Sequence, residues 1–235
     1  MKTILYPAVD RQHVQHGDKF NSWQSFSFGN WYDAKRTGFG VLHVFNDDSI
    51  GPDSEIGMHP HANYEILSVM LNGKMSHHDS LGNYQEIDTD AIQLISCGTG
   101  IYHAGKNLAT DRFTHFLQIW VKPDVIDTQP SLQLQQFSKA NAHHCWDLRV
   151  SPQANIGKIQ IRQNCYASRG FFEADTQYKL INAVNGVWLF VLDGDIAVQG
   201  IRASARDALM ITEGTEFTIS VDGSADLWLM ELPIA

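Results

Sequence analysis

Apolar residues along this chain come in short bursts rather than in helical stripes. The runs "GFGVLHVF", "YEILSVML", "AIQLIS", "FTHFLQIWV", "VWLFVL", "ALMIT", "FTISV" and "LWLMEL" are rich in Val, Ile, Leu, Phe, Trp and Thr, and Gly, Asp, Asn or Pro follows each directly or one residue later. β-Branched and aromatic residues in bursts of this length, closed by turn formers, predict strand after strand joined by tight turns. No long stretch carries a helical period. Residues 127–144, "DTQPSLQLQQFSKANAHH", break the pattern and predict an irregular connector between two β regions, with room for a helical turn.

The pattern also repeats. A strand ends at Asn72-Gly73 in one half and at Asp193-Gly194 in the other; Asp90-Ala91 then answers to Asp207-Ala208, and Gly98-Thr99 to Gly214-Thr215. Each half closes on an aromatic-bearing run stopped by proline, "FLQIWVKP" and "LWLMELP". Landmarks in one shared order predict a duplicated all-β domain, and strands at this spacing favour a small barrel or sandwich. The expected organisation is two antiparallel β-barrels in tandem: an N-terminal domain at 1–126, a connector at 127–144 and a C-terminal domain at 145–235.

Composition narrows the classes. The chain has 235 residues, 43% hydrophobic and 18% charged, enough to bury a core in each of two ordinary domains. Seventeen Lys and Arg against 26 Asp and Glu leave a formal charge of −9 with no basic cluster, which argues against direct nucleic-acid binding. Cys97, Cys145 and Cys165 are odd in number and widely spaced, a pattern of reduced thiols rather than of a disulfide framework. The first apolar run is cut by Pro7 and no run approaches the length of a membrane span, so the expectation is a cytoplasmic protein with no membrane partner.

The candidate chemistry lies in histidines. His59 and His61 flank Pro60, which biases the backbone towards extended, and in a strand such a pair points to one face. His103, in "GTGIYHAGKN", follows a glycine-rich turn that can aim it at the same point. Three converging neutral imidazoles suit one divalent ion, whether iron, nickel, manganese, cobalt, copper or zinc. His77 and His78 read as exposed residues at a hairpin tip, while His143, His144 and Cys145 form only a weak candidate trio for a soft metal.

Together, "SWQSFSFGNWYD", "GFGVLHVFNDD", "HPHANYE", "HHDSLGN", "GTGIYH" and "HFLQIWV" resemble the motifs of the pirin family, bicupin proteins of two tandem β-barrels, over nearly the whole chain. The resemblance implies a mononuclear metal, most often iron, in the N-terminal barrel. It also implies a quercetin 2,3-dioxygenase type of activity on a flavonol-like substrate with O2. Its alternative is a non-enzymatic regulatory cupin that binds a protein partner. Carried over by position, the metal ligands are His59, His61 and His103, while the family's fourth ligand, a glutamate, is replaced by Gly105.

That replacement directs attention to Glu65, either as a substitute ligand reached through a bend at Asn63 or as the catalytic base. Gln118 is expected to line the cavity and bind substrate, with Trp120 packed nearby and Asn107 holding a turn. Counting from the shared glycines, the second half offers Leu180, Asn182 and Ile219 where the first has His59, His61 and His103. Those residues cannot hold an ion.

Overall fold

The computed structural model describes residues 1–154 and 158–234. Among them regular structure is strand, apart from short 3-10 turns at Ala8–Asp10 and Lys139–Ala142. The strands of the first half are β1 (Lys2–Tyr6), β2 (Gln12–His16), β3 (Phe20–Gln24), β4 (Leu42–Ile50), β5 (Glu55–His61) and β6 (Glu65–Asn72). There follow β7 (Lys74–Asp79), β8 (Tyr84–Asp88), β9 (Ala91–Ser96), β10 (Ile101–Asn107), β11 (Thr114–Val121) and β12 (Ser131–Gln136). The second half contains β13 (Asp147–Ser151), β14 (Ile159–Gln160), β15 (Tyr166–Phe172) and β16 (Thr176–Lys179). It ends with β17 (Gly186–Val198), β18 (Ile201–Ser204), β19 (Ala208–Thr212) and β20 (Glu216–Leu232).

A seven-stranded sheet in the order β12-β9-β6-β11-β4-β3-β2 faces a four-stranded sheet β5-β10-β7-β8. The second half forms a nine-stranded sheet whose path runs β1-β19-β17-β20-β15-β13-β14, with β16 on β20 and β18 on β17. This is the expected all-β bicupin, with one exchange of chain at the divide. β1 pairs along its length with β19 of the second half, Lys2 opposite Thr212 and Tyr6 opposite Ala208. The expected connector is less irregular than its sequence suggests, because β12 adds an edge strand to β9 of the first half.

The near-continuous apolar runs follow from the layering. On β6 and β11, Ile66, Met70 and Phe116 point between the two N-terminal sheets, whereas Leu67, Val69, Leu117 and Ile119 point outward. The outward set meets Trp188, Phe190, Trp228 and Met230 of the second half in one buried core. A strand covered on both faces needs no polar alternation. Each fully buried Leu, Ile or Phe contributes about 1.5–3 kcal/mol relative to an exposed one, so this shared core joins the halves firmly. Ion pairs cross the same divide: Arg169, held by Asp226 of its own half at 2.6 Å, bonds Asp90 of the first half at 2.9 Å, and Arg206 meets Asp47 at 3.3 Å.

The two halves repeat at their hairpins: Gly73 and Gly194 take φ of 89° and 90°. An added Cβ would lie 2.6 Å from Thr114 Oγ1 at the first and 2.0 Å from the Ser224 carbonyl oxygen at the second, so only glycine fits there. Strand register corrects the expected match of ligand positions. His59 and His61 stand opposite His103 and Ile101, and Thr176 and Tyr178 stand opposite Ile219 and Phe217 in the same way. Thus Thr176 and Tyr178, not Leu180 and Asn182, answer to the histidine pair. The count fails because the link from β16 to β17, residues 180–185, is longer than that from β5 to β6, residues 62–64. Tyr178, Phe217 and Ile219 fill the second barrel as solid core.

Candidate metal centre

β5 and β10 are antiparallel neighbours, and their register puts His59 directly opposite His103. His61, two residues along β5, shares the same face. The ring centroids of His59 and His61 are 4.7 Å apart, those of His59 and His103 4.4 Å, and those of His61 and His103 5.0 Å. One ring nitrogen of each lies within 4.8 Å of the others. The register of the pair shifts between His103 and Gly105, where Gly57 and Met58 of β5 face Ala104 alone, so β5 bulges just before His59, a device that re-aims side chains.

The ring nitrogens of the trio suit a cation. His59 Nδ1 lies 2.7 Å from the Gly57 carbonyl oxygen, which can only accept, so Nδ1 is the donor of that contact and Nε2 is the nitrogen left to face an ion. His61 Nε2 and His103 Nε2 are buried without a hydrogen-bond partner among the described residues. Burial, with repulsion from His59, lowers the His61 imidazole to about 4. Burial also lowers His103 to about 3, with further repulsion from His59, His61 and His77 against an opposing pull from Asp79. At neutral pH these two rings are neutral donors, and their orphaned lone pairs are what a divalent ion satisfies.

Gly105 lines the same cavity and offers no donor. The expectation that Glu65 replaces the missing carboxylate, or serves as base, is corrected by its position. Asn63 does bend the chain, with φ of 55°, but β6 restarts with Glu65 on the outward face beside Leu67 and Val69. Its Oε2 accepts hydrogen bonds from Ser96 Oγ at 2.9 Å and from the Arg162 backbone N–H at 3.2 Å. Burial pushes the Glu65 carboxyl up, and those donors offset part of the effect. Glu65 fastens the second half to the first, away from the trio.

His77 is the residue that the sequence misplaces. It is 2% exposed, lines the cavity and lies with its ring centroid 5.4 Å from that of His103. Its Nε2 is 3.1 Å from Asp79 Oδ2. The Asp79 carboxylate is held in turn by the Asn83 side chain and by the backbone N–H groups of Leu81 and Asn83. Burial works to raise the Asp79 carboxyl, yet the bonds from Asn83, His77 and Leu81 keep it below the usual carboxylate range. Only His78 of the pair faces solvent.

The trio opens into a cavity of about 500 Å³ between the N-terminal sheets. Its walls are largely apolar, with Phe20, Phe28, Ile56, Met75, Phe116 and Trp120 among them. Trp120 stands edge-on to His61 at 4.6 Å and also meets Phe28 and Tyr64. Gln118 lines the cavity as expected and accepts a hydrogen bond from Ser68 Oγ at 3.2 Å. Asn107 lies outside the cavity lining and holds the loop: its amide donates to the carbonyls of Ile50, Gly51 and Arg112, and its Oδ1 accepts from Ala109 N–H and Thr114 Oγ1.

A second, exposed cluster joins His143 and His144 to Glu173, at 3.9 Å and 3.3 Å. Cys145 is not part of it; its thiol donates to the Asn141 carbonyl.

Comparison with known proteins gives this geometry its context. Residues 8–121 match the Pirin family, and residues 148–232 match the quercetinase C-terminal cupin domain. The chain is 34% identical to the quercetin 2,3-dioxygenase of Escherichia coli (strain K12) over 230 residues, 97% of this chain and 98% of the relative. It is 31% identical to a pirin-like protein of Caulobacter vibrioides, with 88% of this chain and 89% of the other covered. Among solved structures, the bacterial pirin YhhW of Escherichia coli in complex with nickel(II) superposes with a TM-score of 0.92 at 33% identity, with all of each chain covered. Two stacked cupin barrels, a histidine trio in the first and a solid second barrel, together with these matches, place the chain in the pirin family.

Proposed function

We propose that this protein is a metal-dependent oxidoreductase of the quercetin 2,3-dioxygenase type, acting with O2 on a flavonol-like or other small aromatic substrate. The observation that carries the reading is the set of imidazole nitrogens at the edge of a largely apolar cavity large enough for such a molecule. In this reading the domain at 1–126 holds one divalent ion through His59, His61 and His103, and the domain at 145–235 is its structural partner. Iron is the first expectation, and nickel, manganese, cobalt, copper and zinc also suit imidazole donors. A bound divalent ion supplies Lewis acidity that favours the ionised form of a substrate hydroxyl.

The chain's own residues do the rest. The Gly57 carbonyl fixes the His59 tautomer, Trp120 limits rotation of His61, and Phe20, Phe28 and Phe116 exclude water and suit a flat aromatic face. Gln118, linked to Ser68, offers a polar contact to orient the ligand. No proton transfer is assigned to Glu65, which faces the second half. The test is anaerobic loading with Fe(II), Ni(II), Mn(II) or Co(II), followed by quercetin consumption and carbon monoxide release after O2 is admitted. No turnover with any of these ions, beside an active glutamate-bearing relative, sinks the reading.

One observation favours a second reading, a regulatory cupin that binds a protein partner. Gly105 leaves the site without an anionic donor, as expected where catalysis is no longer under selection. A stable partner recovered in pull-downs together with absent turnover supports it; turnover without a partner removes it.

A further inference from the structure

The cavity has a second chemistry at the end away from the histidines. Across the seven-stranded sheet, Gln93, Ser68, Gln118, Asn46 and Gln24 stand directly opposite one another on β9, β6, β11, β4 and β3, all on the inward face. The next row pairs Met70, Phe116, Asp48 and Ser22 in the same way. Trp120 touches His61, and Phe116, the cross-strand partner of Asp48, lies four residues back along β11. Four residues of strand span roughly 13 Å, so the Asp48 row sits well away from the trio.

This wall carries polar atoms that the protein leaves unmet. Asp48 is 5% exposed and lines the cavity, and its Oδ1 has no hydrogen-bond partner among the described residues. Behind the cavity lining, on the same face of the sheet, both amide atoms of Asn46 and Gln24 Oε1 are likewise without a partner among the described residues. A buried polar group without a partner costs about 1–3 kcal/mol, so an unmet Asp48 Oδ1 on the cavity wall beside Ser68, Gln93 and Gln118 signifies a place built for a polar guest, whether water or ligand.

The wall also says which guest. Burial, opposed by the adjacent Ser22 hydroxyl and assisted by the Asp47 charge, pushes the Asp48 carboxyl up to about 8. At neutral pH it is mainly the protonated acid, able to donate and to accept. Gln118 and Gln93, which also line the cavity, are neutral amides with the same double capacity. The only lysine of the cavity lining, Lys19, is solvent-exposed, and no buried cation stands on the wall. Such a surface suits a neutral hydroxyl rather than a carboxylate or phosphate. The apolar faces of Phe20, Ile56, Met75 and Phe116 beside it suit the aromatic ring that bears the hydroxyl.

We propose that Asp48, supported by Gln118 and Ser68, forms a hydroxyl-recognition subsite that takes a phenolic group of an aromatic ligand whose chelating oxygens lie at His59, His61 and His103. The inference rests on the functional reading above and adds the substituent that the site selects. Asp48 is a ligand-positioning residue in it, not a ligand of the ion.

The experiment uses full-length protein loaded anaerobically with Zn(II), so that binding is read without turnover. The probes are 3-hydroxyflavone and its 4′-hydroxy and 7-hydroxy derivatives, with Kd followed by absorbance. The wild type is expected to bind one hydroxylated derivative roughly tenfold more tightly than the parent, a difference worth about 1.4 kcal/mol. Asp48→Leu is expected to erase that preference at unchanged zinc content, and Asp48→Asn to keep part of it, because an amide still donates and accepts. Gln118→Met provides a second readout on the same wall should Asp48→Leu fail to fold. A preference that persists in Asp48→Leu, or in Gln118→Met where that variant stands in, or one that is absent from the wild type, overturns the subsite alone. Failure of zinc-loaded wild type to bind any of the three flavonols overturns the functional reading together with it.

Discussion

Gly105 stands directly opposite His77 across the antiparallel pairing of β10 and β7. Directly opposed residues share a face, so the position that lacks a carboxylate and the buried histidine adjoin the same region of the cavity. A Cβ at Gly105 would meet Met75 Sδ at 3.2 Å, the far part of a flexible side chain, and the backbone there has no left-handed φ. Gly105→Glu is therefore expected to fold and to raise metal retention roughly tenfold or more, read by competition with a chelator. Unchanged retention means that the three histidines already hold the ion as firmly as the cavity allows.

His59→Ala should reduce bound metal to a small fraction, because it removes one of three converging donors and the one whose tautomer is fixed by Gly57. Glu173→Ala, in the exposed cluster with His143 and His144, should leave the tightly bound metal unchanged. Elemental analysis of untagged protein compares the two. Loss of tight metal in Glu173→Ala alone would relocate the centre to the surface.

Glu65→Ala should leave metal content unchanged and lower stability by about 1–3 kcal/mol, since the buried Ser96 hydroxyl and the Arg162 N–H lose their acceptor. Chemical denaturation and metal analysis on the same preparation separate the two effects. A large metal loss with intact stability would return Glu65 to the ion.

Asp48 predicts a pH dependence of stability. Its carboxyl rises from an ordinary 3.8 to about 8 on burial, so between those values the native protein holds a proton that the unfolded chain has released. Stability from this group is full below about pH 4 and is lost as pH rises, with a ceiling of about 1.4 kcal/mol per pH unit for one proton. Asp48→Asn removes that slope, so its stability relative to the wild type should increase steadily from pH 5 to pH 8 in urea titrations of metal-free protein. A constant difference across that range contradicts it.

The tandem all-β architecture was legible because hairpin glycines and apolar bursts are local signals, and Gly73 and Gly194 take the same left-handed φ in space. The grouping of His59, His61 and His103 was anticipated from strand parity and motif. Side chains beyond a kink were not. Parity carried along β5 gives Glu65 the face of His61, to be brought near by a bend at Asn63, but the left-handed Asn63 instead resets the pleat and turns Glu65 to the other face. His77 was misread because β7 runs to Asp79, several residues further into the hairpin than "HHDSLGN" suggests, so one histidine of the pair is carried inside. Asp48 carries no sign of its burial in the sequence, since a strand carboxylate reads as solvent-facing until a second sheet is placed over it.

The exchange of β1 into the second half sets a timetable for the molecule. Lys2–Tyr6 is translated well before its partner strand, Ala208–Thr212. At about 5–20 residues per second, that wait is on the order of 10 to 40 s. β1 must wait unpaired with β19 over that interval, and pairing of such high sequence separation is slow to form in any case. The barrel that carries the histidine trio can be assembled while its sister is still being translated, but the seam between β1 and β19 closes only once both are made.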